Sequence, residues 1–304
     1  MPALRALNAV AEVVLVVTQP DRPRGRGQRL QPTPVKAEAQ SLGIATSEPQ
    51  RLRDALGELA AAGADLFALA SYGKIVPQAV LDLPRLGALN VHPSLLPLYR
   101  GATPLQSVLR DGRKETGVTI MLMDAGMDTG DVVAQERFGI GETETYGDLH
   151  DRLAQEGARM LAGAVEGVAA GTAARMPQRD LGVADAEIAA TLTRPLTKAD
   201  YALDWSRPAR HLVDQVRSLS PEPGARGTVA GDERPLKVLA AHAADALHAA
   251  RAGMLASDAL GEAGIVCGDG RLLVLDRVVP PDRRAMSGRE YLQLLGAAQP
   301  GGAR

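Results

Sequence analysis

The sequence has 304 residues, of which 45% are hydrophobic and only 3% aromatic, with a formal net charge of −2. This length allows two domains with aliphatic cores, and the charge excludes a general attraction to nucleic acid, so a polyanionic partner requires a local basic patch. The single Cys267 excludes an intrachain disulfide and a cysteine-based metal site. Because we find no membrane-spanning apolar run and no signal peptide, we expect a soluble protein of the reducing cytoplasm.

The first part of the chain alternates predicted strands and helices. Apolar runs predict strands at 13–18, 65–71, 88–91, 116–123 and 132–138. Amphipathic patterns predict helices at 2–7, 35–42, 78–83, 103–110 and 146–170. Apolar strands separated by helices are typical of a mostly parallel sheet covered on both faces. The predicted fold class is therefore α/β over residues 1–175.

The pattern changes after residue 175. Residues 176–196 mix Ala, Thr, Arg and Pro and are predicted to form a linker. Beyond a helix at 209–218, short strand-like runs closely punctuated by Gly and Pro predict a small antiparallel barrel within residues 197–304. The Ala-rich segment 243–252 is predicted to be a helix or a flexible insertion.

Candidate chemistry begins in LNVHPSLLPLYRG, residues 89–101, where a predicted strand ends. Asn90 and His92 lie two residues apart, so their side chains point to the same side, and Pro93 stops the strand. Ligands of open α/β sheets bind at the carboxyl ends of strands. A histidine there can move a proton and an asparagine amide can hold a carbonyl oxygen, although a histidine that only caps a turn gives the same pattern.

A carboxylate that could accompany His92 lies in MDAGMDTGD, residues 123–131. This Gly-rich loop contains Asp124, Asp128 and Asp131, and a carboxylate can orient an imidazole and stabilise its charged form. Turn formation is the alternative for these residues, and a calcium loop is disfavoured because alternate-residue ligands and a closing Glu are missing. The spacing does not select one of the three.

The loop DRPRGRGQR, residues 21–29, concentrates positive charge. Its arginines, which suit phosphate groups, are Arg22, Arg24, Arg26 and Arg29. A solvated charge run is the alternative. The loop matches neither GxGxxG nor GxxxxGK[ST], and the chain has no HExxH or GxSxG motif, so phosphate-loop, metalloprotease and hydrolase functions lack support.

Two long motifs carry a resemblance to a known family. NVHPSLLPLYRGATPLQ and ETGVTIMLMDAGMDTGD resemble the signature of folate-dependent formyltransferases. TQPDRPRGRG, SYGKIVPQAVL, KADYALDW, GDGRLLVL and RRAMSGREYL resemble the branch that acts on methionyl-tRNA. The resemblance covers nearly the whole chain. It implies a Rossmann-like sheet, the formyltransferase fold, followed by an OB-like β-barrel that contributes tRNA contacts.

The resemblance also implies roles for individual residues. Asn90, His92 and Asp128 match the catalytic residues, so the resemblance selects Asp128 among the three carboxylates. The folate-site wall matches Ser94, Leu95, Leu96 and Pro97. The loop that contacts the tRNA acceptor stem matches Arg22, Arg24, Arg26 and Arg29. The implied reaction passes the formyl group of 10-formyltetrahydrofolate to the α-amino group of methionyl initiator tRNA for translation initiation, with no metal, in a monomeric enzyme.

The sequence departs from the family pattern at two places. The family opens with a strand and a Gly-Thr-Pro turn before the helix that here begins at Pro2, so an interior strand is expected to be missing, leaving an apolar slot and unpaired backbone. In LSPEPGARGTV, residues 219–229, Glu222 and small residues stand where aromatic residues are expected. The alternative functions are formyl transfer to a purine-pathway or amino-sugar amine, or RNA binding by an inactive homologue.

Overall fold

A computed structural model describes residues 1–24, 29–229, 232–257 and 263–298. The helices are α1 (Pro2–Val10), α2 (Pro34–Ser41), α3 (Leu56–Ala61), α4 (Gln78–Leu81), α5 (Pro104–Arg110), α6 (Tyr146–Ala169), α7 (Asp185–Ala190), α8 (Ala209–Leu219) and α9 (Gly288–Ala298). The strands are β1 (Val16–Val17), β2 (Arg22–Arg24), β3 (Arg29–Gln31), β4 (Thr46–Ser47), β5 (Phe67–Ala70), β6 (Ala88–His92), β7 (Glu115–Leu122), β8 (Val132–Gly139), β9 (Ala225–Val229), β10 (Asp232–Leu247), β11 (Leu255–Ser257), β12 (Ala263–Val266), β13 (Arg271–Val279) and β14 (Met286–Ser287). Turns of 3₁₀ helix lie at Leu52–Ala55, Gln178–Leu181 and Lys198–Tyr201.

The first of two compact units comprises Met1–Pro104, Glu115–Gly139 and Asp151–Arg194. Its larger sheet has the strand order β5-β6-β7-β8, in which β5 and β6 are parallel and the other neighbours are antiparallel. Strands β1 and β4 form a separate parallel pair. The predicted α/β class is therefore confirmed, and the sheet is mixed because β7 runs antiparallel to both β6 and β8.

Strand β7 shows that this sheet is covered on both faces. Six consecutive residues of the strand, 116–121, are buried, so side chains of both orientations lie in a core. Helix α6 packs closely against one face, since a Cβ added at Gly157 would lie 2.8 Å from a methyl group of Val91 in β6. This close packing fixes β6, and with it the end of the strand at His92.

Strands β1 and β5 pack against the same group of apolar side chains, since Val17 and Phe67 both contact the cluster of Leu52, Leu59 and Val80. Among the residues that the structure describes, no pairing joins β1 to β5. The expected absence of an interior strand remains a prediction.

The second compact unit comprises Leu105–Lys114, Ile140–His150 and Pro195–Arg304. Its antiparallel sheet has the order β11-β12-β13-β10-β9, with β14 on β13, and covers helix α8. The fully buried centre of this core has nine described residues at 0% exposure: Ala209, Leu212, Leu219, Ala225, Leu236, Val238, Ile265, Leu273 and Val278. The antiparallel C-terminal architecture is confirmed, whereas no described pairing joins β11 to β9, so barrel closure stays a prediction.

Two local predictions are wrong. Residues 21–29 were predicted to be a loop, but β2 and β3 pair antiparallel, with Arg22 opposite Gln31 and Arg24 opposite Arg29. Segment 243–252 was predicted to be a helix or an insertion, but β10 continues through it to Leu247. Pairing with β13, including Ala243 opposite Leu273, overrides the helix propensity of alanine.

Candidate active site

The site begins at the carboxyl end of β6, in the middle of the first unit's sheet. Asn90 lies between Leu69 of β5 and Met121 of β7, and His92 lies opposite Thr119 of β7. His92 is only 4% exposed, whereas Asn90 is half-buried. The Asn90 amide makes no hydrogen bond to any residue that the structure describes, so its donor group is available to a ligand. The predicted position of the pair at a strand end is thus observed.

A backbone carbonyl fixes the tautomer of the His92 ring. Its Nε2 lies 3.0 Å from the carbonyl oxygen of Tyr99. Because a carbonyl only accepts hydrogen bonds, Nε2 carries the hydrogen and Nδ1 of the neutral ring carries the lone pair. Tyr99 presents this carbonyl from a backbone with a φ of 58°, which is unusual for a residue other than glycine. Nδ1 is therefore the ring nitrogen that is free to exchange a proton.

Asp128 faces that nitrogen. Its Oδ2 lies 3.6 Å from Nδ1 of His92, which is too long for a hydrogen bond but short for an electrostatic interaction. The same oxygen accepts a hydrogen bond of 2.8 Å from the backbone N–H of Gly101. A Cβ at position 101 would lie 2.2 Å from the carbonyl oxygen of Thr193, so only glycine can bring its N–H to Asp128.

The structure separates the three carboxylates of residues 123–131. Asp124 accepts hydrogen bonds from the N–H of Gly126 and the hydroxyl of Thr129, so it forms the turn of its own loop. Among the described carboxylates of this loop, Asp128 alone contacts His92, and its backbone has a φ of 55°. The catalytic role that the resemblance implies for Asp128 stays a prediction.

Residues 94–97 form a turn held by side chains of neighbouring strands. The hydroxyl of Thr119 donates to the carbonyl of Ser94 and accepts from the N–H of Leu96, at 2.7 and 3.2 Å. The amide of Gln135 donates to the carbonyl of Leu96 at 2.9 Å. Ser94, Leu96 and Pro97 are buried, and Leu95 is half-buried beside Gly117. Their contact with folate stays a prediction.

The arginines predicted to contact tRNA are only partly described. Arg26 lies outside the described residues. The backbones of Arg22, Arg24 and Arg29 lie in the hairpin of β2 and β3. Their role in tRNA binding stays a prediction.

Burial controls the charge of His92. Removal of the ring from water lowers the His92 pKa below its ordinary value of 6.5, and the nearby Asp128 carboxylate opposes this shift. The neutral ring therefore persists at neutral pH. The unfolded chain binds this proton more readily than the folded chain does. The contribution of His92 to the free energy of unfolding is therefore fully present above pH 6.5 and is lost as the pH falls through the pKa of His92 in the folded chain.

This charge state predicts an acid limb for catalysis. We expect kcat/KM to fall with decreasing pH, with a midpoint lower than 6.5, because protonation removes the Nδ1 lone pair. In Asp128→Asn the midpoint should move further down, since the carboxylate that raises the His92 pKa is gone. Residual activity measured against pH checks both midpoints, and an unshifted limb in Asp128→Asn would contradict the assignment.

Among the residues that the structure describes, no group of three or more His, Cys, Asp or Glu side chains could hold a metal ion. No helix in the described ranges is long and apolar enough to cross a membrane.

Two family models match the chain. The model described as formyl transferase matches residues 1–165, and the model described as formyl transferase, C-terminal domain, matches residues 195–295. The chain belongs to the formyl transferase family. The resemblance seen in the sequence motifs is thereby confirmed.

Relatives from several bacteria are similar to this formyl transferase over almost their full length. A methionyl-tRNA formyltransferase of Xanthomonas euvesicatoria is 42% identical over 296 residues, covering 96% of this chain and 93% of the relative. One of Cereibacter sphaeroides is 41% identical, covering 100% of this chain and 95% of the relative.

Solved structures share the fold at lower identity. WlaRD, a sugar 3N-formyl transferase, has a TM-score of 0.64 at 15% identity, covering 90% of this chain and 92% of its own. HypX of Aquifex aeolicus, solved in complex with tetrahydrofolic acid, has a TM-score of 0.61 at 18% identity, covering 93% of this chain and 48% of its own.

Sequence reasoning missed the residues that hold the site together. Tyr99 supplies a carbonyl, Thr119 and Gln135 hold the 94–97 turn, and Gln178 and Thr191 contact the loops that carry Asp128 and Tyr99. Their contacts join positions up to 92 residues apart, which no local pattern reveals. The one local signal was the polar segment 176–196, interpreted as a linker.

Proposed function

We propose that the protein transfers the formyl group of 10-formyltetrahydrofolate to the α-amino group of methionine carried by initiator tRNA. The observation that carries this proposal is a buried histidine with a fixed tautomer, His92, facing Asp128 on the same side of β6 as the Asn90 amide. Full-length relatives with more than 40% identity support the choice of methionyl-tRNA as acceptor. The product serves translation initiation.

The reaction is an acyl transfer between two amines. The α-amine attacks the formyl carbon, a C–N bond forms, and the carbonyl electron pair moves to oxygen. The Asn90 amide donates to this oxyanion, which is the type of contact that stabilises tetrahedral intermediates. Nδ1 of His92 takes the proton that the attacking nitrogen must lose. Collapse of the oxyanion then breaks the bond to tetrahydrofolate, whose departing nitrogen receives the proton from His92.

Asp128 acts in this scheme through its charge. At 3.6 Å from Nδ1 it stabilises the imidazolium that forms when His92 takes the proton. The Tyr99 carbonyl, and not Asp128, orients the ring of the resting enzyme. The 94–97 turn is proposed to hold the folate, so that positioning of both substrates supplies much of the rate.

Binding of tRNA requires a positively charged surface. Because the net charge of the chain is −2, that surface has to be a local basic patch. We propose that Arg22, Arg24, Arg26 and Arg29 supply it, because guanidinium groups match phosphate geometry. We further propose that the enzyme works as a monomer in the cytoplasm, where its one thiol, on buried Cys267, stays reduced.

A single assay tests the proposed acceptor. Donor with a labelled formyl group is offered with methionyl initiator tRNA, with a purine-pathway amine such as glycinamide ribonucleotide, and with an amino-sugar nucleotide. We expect label to appear only on the methionyl-tRNA. Transfer to either small amine in preference to tRNA would contradict the proposal, and absence of transfer to all three would support an inactive RNA-binding homologue.

A further inference from the structure

Three buried polar side chains contact the loops of Asp128 and Tyr99 and have no part in the reaction scheme. They come from Gln178, Thr191 and Thr193, which are 4%, 7% and 8% exposed. All three belong to the first compact unit, although the sequence pattern predicted a linker. Buried polar groups need hydrogen-bonding partners, and here most partners are backbone groups of the two loops that carry the site.

Gln178 contacts the loop of Asp128 with its whole amide group. Its Nε2 donates to the carbonyl oxygens of Asp128 and Gly130, both at 2.8 Å. Its Oε1 accepts from Nη2 and Nε of Arg100 at 2.7 and 3.1 Å. The amide therefore joins the Asp128 loop to Arg100, the residue between Tyr99 and Gly101.

The two threonines hold the other loop. The hydroxyl of Thr191 accepts from the N–H of Tyr99 at 3.3 Å and can donate to the carbonyl of Glu187 at 3.0 Å. Thr193 binds the carbonyl of Arg100 through its N–H at 2.8 Å and through its hydroxyl at 3.0 Å. These bonds fix the backbone on both sides of the Tyr99 carbonyl.

Both loops need such support because their backbones are strained. Tyr99 and Asp128 have φ values of 58° and 55°, in a region that side chains disfavour. Such residues persist only where their surroundings over-determine them. Gln178 and Thr191 provide this support by hydrogen-bonding the backbones of the two strained residues, Asp128 and Tyr99 respectively.

We propose that Gln178 is a positioning residue for formyl transfer, which holds Asp128 at its distance from His92, with Thr191 holding the Tyr99 carbonyl against the same ring. The inference rests on the proposed function, since positioning matters only if His92 and Asp128 perform the reaction. It makes residues 178–193 part of the catalytic unit. Misplacing a catalytic group by ~1 Å can cost about 10²-fold in rate.

The test replaces Gln178 by leucine, which keeps the volume and removes every hydrogen bond. The matched control is Arg179→Leu at the exposed neighbouring position, whose side chain is 83% exposed. We expect Gln178→Leu to lower kcat about 10- to 100-fold with little change in either KM, because substrate contacts stay intact. The control should stay close to wild type.

A second readout does not depend on activity. The five histidines are labelled with ¹⁵N, and the His92 signals are assigned by their loss in His92→Asn. Wild type should show the Nε2–H tautomer. In Gln178→Leu the His92 pKa should fall further, because Asp128, the neighbour that raises it, moves away. A merely structural role would leave this titration unchanged.

A folded Gln178→Leu variant whose kcat and His92 titration match those of Arg179→Leu would overturn the inference. If Gln178→Leu does not melt cooperatively, Thr191→Val takes its place with Thr191→Ser as the conservative partner. The proposal then requires loss of the Nε2–H tautomer signature in Thr191→Val and its retention in Thr191→Ser. Should wild type fail to formylate methionyl-tRNA, the proposed function fails, while the His92 titrations still decide whether Gln178 holds Asp128 beside His92.

Discussion

Replacement of His92 by alanine is expected to lower kcat for formyl transfer about 10²- to 10⁴-fold, the range typical for loss of a general acid or base. Replacement of Asp128 by alanine should cause a loss in the same range, because the imidazolium formed by His92 then lacks its counter-charge 3.6 Å away. Binding of tRNA should stay close to wild type in both variants. Single-turnover formylation and filter binding of labelled methionyl-tRNA measure the two properties separately.

The matched control for these variants lies in the same loop. Asp124→Asn keeps an acceptor for the N–H of Gly126 and the hydroxyl of Thr129, so the loop should hold its shape. We expect it to formylate at nearly the wild-type rate. Retained activity in His92→Ala or Asp128→Ala, or an equal loss in Asp124→Asn, would remove the proposed distinction between the carboxylates.

The sequence predicted the strand end at Asn90 and His92 because its determinants are local. The alternation of side chains along β6 places Asn90 and His92 on one side, and Pro93 ends the strand beside them. Apolar runs such as 116–121 likewise identify a covered strand without any knowledge of its neighbours. The choice of Asp128 required the family resemblance, because three carboxylates share one loop pattern.

The features that the sequence did not predict depend on distant contacts. The tautomer of His92 follows from the Tyr99 carbonyl, whose loop is held by Thr191 at 92 residues' separation. The Ala-rich segment 243–252 lies in β10 up to Leu247 because β13 pairs with it, although alanine itself favours helix. In both cases a contact between residues distant in the sequence decides the local state.

A buried ion pair in the second unit gives the largest expected effect on stability. Nε of Arg217 donates to Oδ1 of Asp214 at 2.8 Å within α8, and the two side chains are 6% and 8% exposed. Asp214→Ala should lower the free energy of unfolding of this unit by about 3–5 kcal/mol, because it leaves the Arg217 charge buried without its partner. The signal comes from Trp205, the single tryptophan, which packs against the core of this unit.

Urea titrations followed by Trp205 fluorescence separate this effect from a simple loss of contacts. Arg210→Ala is the control. Its side chain is 47% exposed, so its charge is solvated, and at 3.6 Å from the other Asp214 oxygen it should contribute only about 0–1 kcal/mol. Replacing Asp214 and Arg217 together by leucine and methionine should recover most of the stability, since apolar residues need no counter-charge. If the double variant is as unstable as Asp214→Ala, the loss comes from disrupted packing of α8 and not from an unpaired charge.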